Sequence, residues 1–141
     1  MLVNREDIIK YIPQRWPMVM IDDLVDVSET YAVTEFEIQP DNIFIRNKGL
    51  SEPGLVENIA QTAAAQVGFL CMQKNIDVPI GYIAAIKDLK IFDFLSEYTR
   101  ITTTITVKNQ VLDITLVEGN VRQEDKILCC CEMRIFAKVK S

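Results

Sequence analysis

One stretch constrains this chain more than any other: Pro53 to Asn75, PGLVENIAQTAAAQVGFLCMQKN. Val56, Ile59, Ala60, Ala63, Ala64, Val67 and Cys71 follow the 3.6-residue period of a helix. Apolar side chains continue round the circumference through Ala65, Phe69 and Leu70. A helix that is apolar on most sides has little surface to give to water, so other elements must enclose it. The alanines and Gly68 let a neighbour pack close to its axis. Ser51 with Glu52 or Pro53 behind it supplies the start signal.

The enclosing elements read as strands. Residues 18–27 (MVMIDDLVDV) predict one with a kink near Asp22-Asp23. Residues 31–39 alternate, with Ala32, Thr34, Phe36 and Ile38 on one face. After the helix, residues 80–92 predict a long strand broken by a bulge near Lys87-Asp88. Residues 98–107, from Tyr98 on, place Thr99, Ile101, Thr103, Ile105 and Val107 together. Residues 110–119 and 125–139 complete the set, with turns at Gly119-Asn120 and Glu124-Asp125. In the last strand Ile127, Cys129, Cys131, Met133, Ile135, Ala137 and Val139 share a face. Residues 4–11 suggest a short helix capped by Asn4 and ended by Pro13. The order implies one α+β domain over residues 1–141, a long central helix wrapped by a curved antiparallel sheet. The hotdog fold is such an architecture, and its open sheet edges favour dimerisation.

Composition narrows the function. With 49% hydrophobic and 25% charged residues the profile is globular, and 141 residues suit a single domain. The net charge of −5, with no Lys/Arg block, argues against nucleic acid. No apolar run is long enough to span a membrane, and the charged N-terminal segment is no signal peptide, so a cytoplasmic location is expected. Cys129, Cys130 and Cys131 are consecutive, which is no metal-ligand spacing, so they and Cys71 read as small buried hydrophobes. There is no histidine, which excludes imidazole-based chemistry by this chain. Neither a metal nor another cofactor is expected.

Two segments carry a family resemblance. Pro13-Gln14-Arg15-Trp16-Pro17, followed by Met18 to Ile21 and Asp22, resembles the Pro-His-Arg-x-Pro-Φ-Φ-Φ-Φ-Asp pattern of the hotdog 3-hydroxyacyl-[acyl-carrier-protein] dehydratases. Pro53-Gly54-Leu55-Val56-Glu57-Asn58-Ile59-Ala60-Gln61 is similar to that family's Pro-Gly…Glu-x-Φ-Ala-Gln, two residues shorter between Gly and Glu. That spacing, and Gly81 to Lys87, look closest to the dehydratase-like hotdog proteins of aryl-polyene-type pigment pathways. The resemblance implies a thioester on a phosphopantetheine arm, delivered by acyl carrier protein or CoA. It implies a carbonyl held by backbone amides around Gly54 and Leu55, where a helix N-terminus favours negative charge. Glu57 matches the family's helix carboxylate. Gln14 stands where the histidine is expected, and an amide cannot accept a proton near neutral pH.

Each of these residues also has a plainer reading. Glu57 in the first helical turn could simply complement the helix dipole. Gln61, four residues on, either orients Glu57 or bonds a neighbouring loop. Gln14 is a substrate-binding group or a satisfied polar side chain. Trp16 and Met18, with Met20, line an acyl tunnel or pack in the core. Arg46 and Lys48 meet a phosphate or the acidic face of a carrier protein, or they are solvated. Three functions remain open: a dehydratase-like protein for 3-hydroxyacyl thioesters in fatty-acid or polyene synthesis; an acyl thioesterase using Glu57, which needs no histidine; and a non-catalytic acyl-binding subunit. The expected assembly is a homodimer or a multiple of it, or a heterodimer with a histidine-containing hotdog protein.

Overall fold

The computed structural model describes residues 2–47, 49–93 and 99–137; Lys48, Tyr98 and Val139 lie outside them. Strands β1 (Asp23–Val27) and β2 (Tyr31–Glu37) precede a two-residue hairpin, β3 (Ile45–Arg46) and β4 (Gly49–Leu50). Helix α1 (Glu52–Gln73) follows, then β5 (Gly81–Ile91), β6 (Arg100–Val111), β7 (Ile114–Gln123) and β8 (Lys126–Ala137). Six strands form one sheet in the order β1-β2-β6-β7-β8-β5, every neighbouring pair antiparallel. The helix lies on one face of this sheet, which is the hotdog arrangement expected from its all-round apolarity.

Local sequence explains the ends of α1. Ser51 is the N-cap residue, extended in backbone, with proline in the first turn. At the other end Asn75 adopts φ 55°. The Ile76 amide donates to the Cys71 carbonyl and the Asn75 amide to that of Met72. This is a Schellman closure with asparagine in glycine's usual place.

The sheet offers α1 a trough. Ala32, Ile105, Gly119 and Cys131 are direct neighbours across four strands. Three of them are small, and Ile59 of α1 fills the gap: a Cβ on Gly119 would lie 2.4 Å from Ile59 Cγ2. The expected turn at Gly119-Asn120 is therefore mid-strand, because the glycine is needed for helix packing. The β6–β7 turn falls at Leu112-Asp113, inside the strand expected over residues 110–119, where Val111 pairs with Ile114 and Leu112 takes φ 56°, and β7 runs on through Gly119-Asn120 to Gln123.

The other differences have local causes. Residues 18–22 are not strand; the backbone of Met18 and Met20 bonds a side chain of α1 instead of a neighbouring strand. The N-terminal helix shrinks to a single 3-10 turn, Ile8–Lys10, although Asn4 Oδ1 does accept from the amides of Glu6 and Asp7. Ile127 is exposed and Leu128 buried, since the β7–β8 register shifts between Val121 and Arg122. The bulge in β5 lies between Lys87 and Lys90, with Asp88 at φ 53°. The Glu124-Asp125 turn is where the sequence placed it.

Candidate active site

A polar seam runs through the core beneath the first turns of α1. Asn58, Gln61 and Thr62 are fully buried on a helix that is otherwise apolar there. Buried polar groups need partners, and each of these has them. Asn58 Nδ2 donates to the Met20 carbonyl at 2.7 Å, and its Oδ1 accepts from the Thr103 hydroxyl. The Thr62 hydroxyl donates to the Asn58 carbonyl and shares a hydrogen bond with Thr34 Oγ1 at 2.7 Å.

Gln61 joins this seam to the candidate acid. Its Oε1 accepts from the Met20 amide at 2.7 Å. Its Nε2 donates to the Met18 carbonyl at 2.7 Å and to Glu57 Oε1 at 2.9 Å. The two readings of Gln61 are thus both realised: it clasps the loop and it orients the carboxylate. Glu57 Oε2 has no hydrogen bond from the described residues.

Glu57 lines a cavity of about 350 Å³. Gln14 lines the same cavity, so the helix carboxylate and the residue in the histidine position face one space within a single chain. Ala60, Ala63, Ala64 and Val67 form the apolar helix wall, and Val117 and Ile135 the sheet wall. The rim includes the exposed Gly81, Tyr82 and Ile83 of β5, which among the described residues pairs only with β8 and stands at the end of the sheet.

The segment carrying Gln14 is held from three directions. Arg15 Nη1 donates to the carbonyls of Ile12 at 2.8 Å and Gln14 at 2.7 Å. Gln61 clasps Met18 and Met20. Gly68 admits the backbone of Tyr11 so closely that a Cβ there would sit 2.1 Å from the Tyr11 oxygen. Gly68 signalled close packing from sequence, but nothing named Tyr11 as the neighbour. Tyr11, Gln66 and Thr115 also line the cavity and were not anticipated, since each reads as an ordinary member of its element. The buried Asn58 carried a signal, a polar residue among apolar ones, that the motif around it obscured.

The other expected site residues lie elsewhere. Gly54 and Leu55 are buried in the first turn, outside the lining of the Glu57 cavity. A Cβ on Gly54 would meet Phe44 Cβ at 2.7 Å and Leu50 Cδ1 at 2.8 Å, and the Leu55 amide donates to the Ser51 carbonyl. The helix start is therefore covered by Phe44 and Leu50. Trp16 is 80% exposed and belongs to a separate cleft of about 550 Å³, not to the core. Asp22 borders that cleft; its carboxylate accepts from the Glu37 amide and pairs with Arg5, while burial pushes its pKa up. Met18 contributes its carbonyl to Gln61, and its exposed side chain lines neither space. Arg46 is exposed at the end of β3 and borders neither.

No group of three acidic, cysteine or histidine side chains suited to a metal occurs among the described residues. The four cysteines are free thiols; burial pushes Cys129 up to about 12 and Cys131 to about 11. No described helix is long and apolar enough to cross a membrane.

A long helix on a six-stranded antiparallel sheet, with a carboxylate held in a cavity beside it, defines a hotdog domain. Residues 6–140 match the profile of the ApeP-like family, described as ApeP dehydratase. The chain belongs to this ApeP-like family. No curated protein matches it. Among solved structures, the dehydratase heterocomplex ApeI:P from Xenorhabdus doucetiae is similar at TM-score 0.85 and 14% identity, over 94% of this chain and 91% of that one. A hypothetical thioesterase with coenzyme A from Streptococcus pneumoniae is similar at TM-score 0.68 and 10% identity, over 84% and 86%. The E. coli PaaI protein of the phenylacetic acid degradation operon gives 0.64 and 11%, over 81% of each chain. At these identities the likeness to solved structures is one of fold.

Proposed function

We propose that this chain supplies the carboxylate half of a dehydratase-type site for 3-hydroxyacyl thioesters, carried on acyl carrier protein or CoA, and that a histidine-containing hotdog partner supplies the other half. The observation that carries this reading is Glu57, held by Gln61 inside a cavity shared with Gln14, in a chain without histidine. Dehydration removes a proton alpha to the thioester carbonyl and protonates the departing beta-hydroxyl. Glu57 can perform one of these transfers. An amide at Gln14 performs neither, so a second acid–base group has to come from outside the chain.

The position of the cavity supports a partner. Its rim is formed by β5, whose outer edge has unused backbone hydrogen-bonding groups facing away from β8. Tyr82, Ile83 and Ile86 on that strand are exposed large hydrophobics. A second hotdog subunit pairing along β5 would bring its own side chains to the cavity mouth. The similar ApeI:P structure is itself a heterocomplex, which supports a reading with two different subunits.

The test is turnover of a 3-hydroxyacyl thioester, followed by the absorbance of the conjugated enoyl product. The chain mixed with a histidine-containing hotdog subunit from the same source should form product, while the chain alone and a Glu57→Gln mixture should not. Equal rates for Glu57→Gln and the original chain would refute the assignment. A second reading is favoured by the unpartnered Glu57 Oε2, which could act on water or a thioester without any histidine. That thioesterase activity would appear in the same reactions as free thiol released by the chain alone, and lost in Glu57→Ala.

A further inference from the structure

One face of α1 borders the Glu57 cavity instead of closing on the sheet. Glu57, Ala60, Ala64 and Val67 recur at helical spacing, so they line up on a single side of the helix, and all four line that space. The next face packs hard: Ile59 is fully buried, and a Cβ on Gly119 would collide with it. Ala60 and Ala64 are by contrast only half-buried, with about 350 Å³ in front of them. Val117 and Ile135 form the opposite wall. They belong to β7 and β8, which pair with a strand on each side, so the backbone hydrogen-bonding groups of that wall are engaged. Glu57, clasped by Gln61, stands at one end of this lane. At the other end Val67, Val78 and Tyr82 are exposed.

We infer that Ala60 and Ala64 are specificity-determining residues: they keep open a lane along α1 that takes the acyl chain of the substrate and sets the length it recognises. This rests on the thioester reading given above and adds to it the size of the acyl group. The chemistry of the walls selects what lies there. Between Ala60 and Ala64 on one side and Val117 and Ile135 on the other there is no polar side-chain atom. An alkyl chain needs none, whereas a pantetheine arm would strand its amides. Helical rise sets the length. Val67 lies ten residues beyond Glu57, about 15 Å at 1.5 Å per residue. An extended chain advances about 1.2 Å per bond, so about 12 bonds carry the alkyl group from Glu57 to the open end. With the beta-carbon beside Glu57, that is an acyl group of about fourteen carbons at most. Methylenes beyond it enter water and add nothing to affinity.

The experiment measures affinities by calorimetry with three unreactive probes, butanoyl-, octanoyl- and dodecanoyl-pantetheine, each with an amide replacing the thioester. The proteins are the full chain, Ala60→Leu and Ala64→Leu, each mixed with the histidine-containing hotdog subunit used for turnover. The original complex should bind at least about tenfold more tightly at each step in length; complete burial of four methylenes would give about 200-fold. Ala64→Leu should abolish the step from octanoyl to dodecanoyl and keep the step from butanoyl to octanoyl. Ala60→Leu, nearer Glu57, should abolish both. Thermal unfolding verifies that each variant is folded; where leucine prevents folding, valine at the same position should reduce the same steps. Equal binding of the three probes by the original complex overturns the inference and leaves the thioester reading intact. Steps that survive unchanged in the folded variants overturn it as well, by placing the acyl chain elsewhere. Failure of all three probes to bind the original complex overturns the thioester reading and this inference together.

Discussion

Replacing Gln61 with leucine tests how the fold and the site are joined. Leucine keeps roughly the same volume but offers no donor or acceptor. The substitution strands the buried Met20 amide and the part-buried Met18 carbonyl, which Gln61 binds at 2.7 Å each. Each stranded backbone group costs about 1–3 kcal/mol when it cannot reach water. Two give about 2–6 kcal/mol, a large part of the roughly 5–15 kcal/mol that holds a domain together. With a urea m-value of about 1.5 kcal/mol per molar, a loss near 3 kcal/mol lowers the midpoint by about 2 M at fixed protein concentration. Gln66→Leu provides the scale, because Gln66 makes one such bond, to the Ser28 carbonyl at 2.9 Å. Its midpoint should fall by less than half as much. A Gln61→Leu midpoint within about 0.3 M of the original, or an equal fall in Gln66→Leu, would refute the reasoning.

Two further outcomes follow from packing and titration. Gly119→Ala should lose about 1–3 kcal/mol in urea melts, because its Cβ would fall 2.4 Å from Ile59 Cγ2. Adding Ile59→Ala should recover part of that loss in a double-mutant cycle, and simple additivity would show that the trough is not the cause. Cys129 and Cys131 should resist iodoacetamide at pH 8 until urea is added, since burial pushes their thiols from 9.0 up to about 12 and about 11. Above pH 9 the unfolded chain releases these protons first, so stability falls with rising pH up to about 12. A Cys129→Ala, Cys131→Ala double variant should show a shallower decline over the same range.

Sequence reading succeeded where one force dominates. The apolar periodicity of α1 placed its ends within two residues, and alternation in β2 and β6 identified the faces that carry Thr34 and Thr103 inward. It failed where distant contacts override local signals. Gly119-Asn120 has the chemistry of a turn, yet the glycine serves Ile59 across the core. Met18 to Asp22 has the composition of a strand, yet Gln61 and Asn58 take the hydrogen bonds of Met18 and Met20. At the site, the motif named Glu57 and Gln14, and both face one cavity. It also grouped Trp16, Arg46, Gly54 and Leu55 with them, which the chain places at a separate cleft, at the exposed end of β3 and under Phe44 and Leu50. A motif carries no information about which side of a loop each residue takes, so neighbours such as Gln14 and Trp16 part company.

The residues bordering the ligand space, Gly81 to Ile83, also belong to the end strand of the sheet. A subunit pairing along that strand, as proposed above, would share one doorway with small-molecule traffic. A subunit arriving there alters how quickly a ligand can come and go, so exchange rates should vary with protein concentration even where affinity does not.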